Sequence, residues 1–186
     1  MPDSDQYASS PREARLIVVS GEEGAGKSTI IRALLPHTPR GARIDAEDVG
    51  QVNPCLMDDD LFGLIRRNVA LLVENFWRAG YANVIAGSFL REYSDYLAFR
   101  RLLPPPSAVF LVELLVAKDV RDRRRVTRAK QTTQQWRDGV DLIPEDVTIR
   151  QAPDADYRYL GIDTTDLDVA ETVRRIKAAI PEVYAA

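Results

Sequence analysis

A glycine-rich string between a strand and a helix constrains the fold of this chain more than any other feature. Residues 21–28 have the pattern G-x-x-x-x-G-K-S, and Thr29 follows directly. The preceding run, 15–20, is short, apolar and rich in β-branched residues, as expected of a buried strand. The following segment, 29–35, has helical character and stops at Pro36. Strand, glycine-rich turn and helix are the setting of the phosphate-binding P-loop.

The loop predicts a site for a nucleoside triphosphate. Its glycines allow a tight turn that exposes backbone N–H groups toward an anion, and the helix that follows adds its positive N-terminal end. Lys27 is predicted to reach the β- and γ-phosphates, and the Ser28 hydroxyl to ligate Mg²⁺. The predicted nucleotide-binding residues of the loop are Gly21, Glu22, Glu23, Gly24, Ala25, Gly26, Lys27, Ser28 and Thr29.

Two acidic residues are unusual inside such a loop. A carboxylate beside a triphosphate is repelled, so we expect the side chains of Glu22 and Glu23 to point away from the phosphates or to meet a cation. A glycine-rich turn that merely happens to precede a lysine is the alternative interpretation. The strand before the string and the helix after it argue against that alternative.

Composition bounds the class of protein. The chain has 186 residues, 45% of them hydrophobic, which suits one domain with a proper core. The net charge of −3 provides no general basic field for nucleic acid. A single cysteine, Cys55, fits a reducing cytoplasm, and no apolar run approaches the ~18–20 residues that span a membrane. We expect a cytoplasmic protein with a flexible lead-in over 1–12, one domain over 13–186 and an oligomeric state that the sequence does not indicate.

Strand-like and helix-like segments alternate along the chain, which is typical of a parallel α/β sheet. Strands are predicted at 15–20, 42–45, 82–87, 108–115 and 158–162. Helices are predicted at 27–35, 58–79, 93–103, 118–131 and 169–180. The run Asp58-Asp59-Asp60 could suggest a metal site, but acidic residues also favour the first turn of a helix, and we expect that role here.

This layout resembles the small P-loop kinases: shikimate and gluconate kinases, chloramphenicol phosphotransferase and, more distantly, nucleoside monophosphate kinases. The order and spacing of the elements agree over nearly the whole chain. The resemblance implies an α/β, three-layer P-loop NTPase fold with a five-stranded parallel sheet in the order 2-3-1-4-5, flanked by helices. It also implies ATP and Mg²⁺ as cofactors and a small-molecule hydroxyl group as the phosphoryl acceptor. No N-K-x-D guanine-reading motif occurs, so ATP is favoured over GTP.

In those kinases the end of strand 2 supplies a carboxylate next to the acceptor hydroxyl. Asp45 stands at the matching position and is predicted to orient that hydroxyl or accept its proton. Its alternative role is a helix or turn cap. Asp48 is the second candidate, and Gln51 and Asn53 are polar residues suited to sugar or polyol hydroxyls.

The end of strand 3 resembles the D-G-F-P-R segment of nucleotide kinases. Gly87 stands where their aspartate stands, so the carboxylate that supports Mg²⁺ through water is missing. Arg91 matches the substrate-gripping arginine and could fork onto a carboxylate or phosphate of the acceptor. The alternative is a surface arginine paired with Glu92 or Asp95.

An arginine-rich run follows strand 4, where the small kinases place arginines that lead into a lid; we place that lid at 119–141. Arg124 and Arg128 lie four residues apart and are predicted to stabilise charge on the transferred phosphoryl group. The remaining arginines of the run are expected to be surface residues or ion-pair partners of Asp119 and Asp122: Arg121, Arg123 and Arg125. Trp136 could stack on a ring or anchor the lid.

The turn after strand 5 passes beside the adenine ring in the related kinases, so Asp163 and Thr164 are predicted to contact the base. The predicted catalytic set is Lys27, Asp45, Arg124 and Arg128. Two other functions stay open. One is a nucleotide kinase, in which Arg91 with Arg66 or Arg67 would clamp an acceptor phosphate; the other is a slow regulatory ATPase without a small-molecule acceptor.

Overall fold

Five parallel strands form the centre of the molecule. The computed structural model describes residues 14–87, 89–105, 107–127, 134, 147–152 and 156–185. The sheet has the order β2-β3-β1-β4-β5, and every neighbouring pair is parallel, as predicted. Its strands are β1 (Ala14–Ser20), β2 (Gly41–Asp45), β3 (Asn83–Gly87), β4 (Ser107–Leu115) and β5 (Tyr157–Asp163).

Eight α-helices are described around the sheet within those ranges. They are α1 (Lys27–Leu34), α2 (Ala46–Val49), α3 (Asp59–Arg78), α4 (Tyr93–Arg100), α5 (Lys118–Thr127), α6 (Thr148–Gln151), α7 (Val169–Ala179) and α8 (Pro181–Tyr184). The five predicted helices are all present. The single-turn helices α2, α6 and α8 were not predicted. Helix α8 begins at Pro181, which was expected only to end α7. Proline suits the first position of a helix, because a backbone N–H at that position would have no intrahelical partner.

The core lies on both faces of the sheet. Alternating residues of β1 point to opposite sides and are almost completely buried: Leu16 and Val18 pack with α3 and α4, whereas Ile17 and Val19 pack with α1 and α7. A strand buried on both faces is continuously apolar, which is why the run before the glycines has no polar alternation. The predicted three-layer arrangement is confirmed.

Acidic caps fix the ends of two helices. The Asp58 carboxylate accepts a hydrogen bond from the backbone N–H of Leu61 at 3.0 Å, and the Asp168 carboxylate accepts one from Glu171 at 2.7 Å. The aspartate run at 58–60 therefore caps α3 and forms its first turn, as expected. None of the described helices is long and apolar enough to cross a membrane.

The parallel topology brings the loops that follow the strands to one edge of the sheet. The glycine-rich loop follows β1, α2 follows β2 directly, and α5 follows β4 after two residues. Ligands of open parallel α/β sheets bind outside the carboxyl ends of the strands. The same edge is therefore where the predicted site residues can meet.

Candidate functional site

The glycine-rich loop has the backbone of an anion cradle. Gly21, Gly24 and Gly26 have positive φ angles of 130°, 86° and 96°, and Gly26 directly precedes α1. The Lys27 ammonium group donates to the carbonyl oxygens of Gly21 at 2.8 Å and Glu22 at 2.9 Å. The lysine thus folds back over its own loop, at the mouth of the helix N-terminus.

A cavity of about 330 Å³ opens over this loop. Three elements contribute to it, because the loop, α2 and α5 meet at the carboxyl edge of the sheet. Its lining residues are Glu23, Gly24, Gly26, Lys27, Ser28, Thr29, Glu47, Arg124 and Thr127. Backbone N–H groups, an ammonium, a guanidinium and hydroxyl groups are the donors that suit a polyphosphate.

Arg124 links this cavity to a second one. Its guanidinium donates to the carbonyl oxygens of Ala25 at 3.5 Å and Thr164 at 3.2 Å. The second cavity has a volume of about 280 Å³ and is lined by Ala25, Gly26, Thr29, Ile30, Arg124, Thr164, Leu167, Asp168, Val169 and Thr172. We call the first cavity the phosphate-like compartment, because its donors suit a polyphosphate. The second, largely apolar compartment adjoins it, and Arg124 lies between them. Of the two residues predicted to contact the base, Thr164 lines the second cavity, whereas Asp163 lines neither of these two cavities.

Two more arginines of α5 contact the loop, against expectation. Arg121 and Arg125 were predicted to lie at the surface or to pair within their helix, but only 6% and 0% of their area is exposed. Arg121 lies 3.0 Å from the Glu22 carboxylate, and Arg125 donates to the Glu23 carbonyl oxygen at 3.0 Å and to Asp122 at 3.3 Å. The surface prediction is wrong for both arginines, because the loop glutamates supply the opposite charge that burial requires. The alternative prediction, an ion pair with Asp122, is confirmed for Arg125.

The outer arginine of this run behaves as predicted. Arg123 pairs with Asp119 at 2.9 Å, and both side chains are 68% exposed. The two glutamates in the loop meet cations, which is one of the two arrangements predicted for them.

The carboxylates at the end of β2 and just after it differ in their exposure to solvent. Asp45 is 9% exposed, and its carboxylate accepts a hydrogen bond from the backbone N–H of Glu47 at 3.4 Å, which caps α2. Glu47 itself lines the phosphate-like cavity, although the sequence argument did not single it out. Only its place two residues beyond a capping aspartate could have indicated it. The other predicted acceptor residues, Asp48, Gln51 and Asn53, are exposed.

Arg91, which was predicted to bind the acceptor, takes part in a charged cluster. Its guanidinium donates to the Asp95 carboxylate at 3.1 Å and lies 3.8 Å from the centroid of the Phe62 ring. Arg66 donates to the same carboxylate, and Asp95 is 3% exposed. Arg91 also approaches Asp59 at 3.5 Å and keeps 41% of its side-chain area exposed. The alternative pairing with Asp95 is therefore formed, while part of the guanidinium still faces solvent.

Comparison of the fold with solved structures gives consistent neighbours. A sugar kinase from Janibacter sp. HTCC2649 has a TM-score of 0.65 at 16% identity, over 89% of this chain and 93% of its own. A gluconokinase from Sinorhizobium meliloti 1021 has a TM-score of 0.64 at 17% identity, over 94% and 96%. Thymidylate kinase from Candida albicans has 0.58 at 14% identity, over 91% and 92%. The chain has the fold of the small P-loop kinases.

Sequence comparison adds nothing to this assignment. No protein-family model matches the chain, and no curated protein matches it in sequence. At identities of 13–17% for the first five neighbours, the P-loop kinase fold is shared while the substrates of those proteins remain their own.

A third cavity borders the glycine-rich loop at Glu22. It has a volume of about 360 Å³ and is lined by Glu22, Glu113, Leu114, Leu115, Val116, Ala117, Arg150, Asp163 and Thr165. Arg150 forks onto Glu113 with bonds of 2.8 and 2.9 Å, and the Tyr159 hydroxyl donates to it at 2.6 Å. Burial raises the pKa of Glu113, but these hydrogen bonds outweigh it and hold the pKa below its ordinary value. The Glu113 carboxylate therefore stays ionised as part of the wall.

Some predictions concern other parts of the chain. Cys55 is exposed, as is every residue from 51 to 60. Arg128, Trp136 and most of the predicted lid, like the lead-in over 1–12, lie outside the described residues. Among the described residues, no three His, Cys, Asp or Glu side chains are grouped to hold a metal ion.

Proposed function

We propose that this protein is an ATP-dependent phosphotransferase that moves the γ-phosphoryl group of MgATP to a hydroxyl group of a small molecule. One observation carries the proposal: Gly24, Gly26, Lys27, Ser28 and Arg124 line one cavity, and Arg124 joins it to an apolar compartment at Thr164. The lone cysteine and the use of ATP favour a cytoplasmic location.

The residues of the cavity fit a triphosphate and its magnesium ion. An ideal Cβ on Gly26 would meet no atom within 4 Å, so the backbone beside it is open to a ligand. Lys27 would exchange its two loop carbonyl partners for phosphate oxygens, and backbone N–H groups would bind the remaining oxygens. Ser28 and Glu47 are the oxygen donors that could hold Mg²⁺, which in kinases bridges and neutralises phosphate oxygens.

The acceptor would be oriented at the end of β2. Asp45 would accept the proton of the acceptor hydroxyl as its oxygen forms a bond to the γ-phosphorus and the bond from phosphorus to the β-phosphate oxygen breaks. Arg124, with Arg128 as the second predicted arginine, would stabilise the charge on the transferred group. Catalysis of this kind depends on positioning and electrostatics more than on covalent chemistry.

The test is ADP release from MgATP with a panel of hydroxyl metabolites, nucleosides, nucleotides and antibiotics. Lys27→Ala is the blank, because it removes the phosphate-binding ammonium while leaving the buried core in place. Acceptor-dependent ADP release above the blank is the expected result. Slow, acceptor-independent hydrolysis would instead favour the regulatory ATPase. Equal rates in wild type and Lys27→Ala would overturn the proposal.

A second candidate is a kinase whose acceptor carries a phosphate or carboxylate, as a nucleotide kinase does. The observation that favours it is the convergence of Arg66 and Arg91 on one buried carboxylate, Asp95, with Arg91 partly exposed. Arg67, the other arginine considered for a phosphate clamp, is exposed on α3. In the same panel, phosphate esters or carboxylates would then outcompete neutral alcohols.

A further inference from the structure

The glutamates inside the glycine-rich loop contact buried arginines of a different element. Glu22 lies 3.0 Å from Arg121, and Glu23 lies 3.8 Å from the Nε of Arg125, both arginines belonging to α5. The backbone carbonyl of Glu23 also accepts a hydrogen bond from that Nε at 3.0 Å. Two successive residues of the loop are thus bound to two residues one helical turn apart, a spacing that places both arginines on one face of α5.

The loop and the helix also approach each other closely. An ideal Cβ on Gly24 would come 3.0 Å from the Arg121 carbonyl oxygen and 3.0 Å from the Arg125 Cγ. The φ angle of Gly24 is +86°, so a side chain at this position would be strained both by its close contacts and by its backbone conformation. The backbone of the loop therefore rests on α5 with no space between them.

Arg124 lies between these two arginines in the chain. Its own bonds, to Ala25 and Thr164, hold it at the junction of the phosphate-like and apolar compartments. A rotation or shift of α5 would move its guanidinium away from that junction, because Arg124 belongs to the same helix as Arg121 and Arg125. Its placement therefore depends on the contacts that fix α5 to the loop.

We propose that Glu22 and Glu23 are positioning residues that improve nucleotide binding, although their charge repels it. Through Arg121 and Arg125 they hold α5 against the loop, which keeps the loop amides and the Arg124 guanidinium aimed at the same cavity. The inference rests on the proposed nucleotide site and adds two carboxylates and two buried arginines to its machinery.

The sign of one measurement separates this role from plain electrostatics. Removing a negative charge beside a polyanion should tighten binding if the glutamates act only through their charge. If they act by positioning, Glu22→Gln together with Glu23→Gln should weaken binding of ADP, by about 10-fold. The control is Asp119→Asn, which removes one negative charge from an exposed position of α5.

The experiment is titration calorimetry of MgADP with the full chain, with thermal unfolding of each variant alongside. Weaker binding in the double glutamine variant, with Asp119→Asn unchanged, is the expected result. Equal or tighter binding would overturn the inference while leaving the nucleotide site intact. If the wild type binds MgADP no better than Lys27→Ala does, the proposed function is overturned, and this inference with it.

A second pair of variants tests the arginine side. Arg125→Met keeps an apolar stem of similar length in the buried position, and Arg123→Met makes the same change on the exposed side of α5. We expect Arg125→Met to weaken MgADP binding by about 10-fold and Arg123→Met to leave it unchanged. A purely structural arginine would lower the unfolding temperature without changing the dissociation constant. If Arg125→Met does not fold, the glutamine variant decides, since its changes lie on side chains that reach solvent.

Discussion

The last residue of β2, Asp45, lies in register with the last residue of β3, Gly87. Neighbouring strands are ~4.8 Å apart, so Asp45 stands directly beside the position where nucleotide kinases carry an aspartate. An ideal Cβ on Gly87 would come 3.2 Å from the Val19 carbonyl oxygen and 3.4 Å from Ile31. Close packing therefore disfavours a side chain on β3 here, whereas the neighbouring strand β2 ends in a carboxylate, Asp45.

Asp45→Asn is expected to lower kcat by ~10²-fold while the KM for ATP stays near that of the wild type. Asparagine caps a helix about as well as aspartate, so α2 should remain folded and the effect should be chemical. Steady-state kinetics with the acceptor found in the panel measures it, with the exposed Asp48→Asn as the control. Normal turnover in Asp45→Asn, with loss in Glu47→Gln, would move the role to Glu47.

Arg124→Ala is expected to lower kcat by ~10²-fold or more, because it removes the guanidinium between the two compartments. Arg123→Ala removes the neighbouring arginine, whose side chain is 68% exposed and paired with Asp119, and should leave kcat within 2-fold or so. Coupled-assay rates at saturating ATP give both numbers. Equal losses in the two variants would show that net charge, and not position, matters.

Arg91→Ala is expected to raise the KM for an anionic acceptor by ~10-fold or more and to change the KM of a neutral acceptor little. The reason is that the Arg91 guanidinium keeps an exposed side while Asp95 and the Phe62 ring hold it in place. Arg91→Lys should recover only part of the loss, since a single ammonium cannot fork onto a carboxylate or phosphate. A uniform rise in KM across charged and neutral acceptors would argue against anion recognition.

Arg150→Met is expected to destabilise the fold by about 2 kcal/mol at pH 7, because it removes both charged bonds to Glu113. The pKa of Glu113 is held below its ordinary value of 4.5, so the stabilisation is present above that value and is lost as the pH falls through the lower, folded pKa. Urea unfolding of wild type and variant at pH 7 and below pH 4.5 should show the difference shrinking in acid.

The control for that experiment is Arg175→Met, which breaks an exposed pair with Glu171. A surface pair contributes little, so its effect at pH 7 should be much smaller than that of Arg150→Met. A wild-type advantage over Arg150→Met that is the same at both pH values would show that the guanidinium acts by packing and not through the Glu113 charge.

Much of the fold could be predicted from the periodicity of apolar residues and from the glycines and prolines that end helices. Continuous β-branched runs identify strands buried on both faces, and the long amphipathic pattern ending at Gly80 identifies α3. The one-turn helices α2 and α6 escaped because four residues carry no periodic signal. A helix of one turn depends on its capping residue and on the elements packed around it. Asp45, for example, caps α2.

The candidate site was predicted only where a motif prescribes it. The loop from Gly21 to Ser28 could be identified because its chemistry depends on local backbone geometry. The burial of Arg121 and Arg125 could not, since it depends on two glutamates about a hundred residues earlier in the chain. A run of charged residues in a helix is interpreted as a solvent-exposed face unless the element that carries the opposite charges is known.

The exposed segment 51–57 has a consequence for how such a chain can diversify. All of its side chains reach solvent, Leu56 and Met57 to 63% and 55%, so substitutions there cost the fold little. The glycine-rich loop is the opposite case, because its residues contact α5 and the sheet at once. Segment 51–57 can therefore change its side chains without a compensating change elsewhere, whereas a substitution in the glycine-rich loop has to be matched on α5 or the sheet.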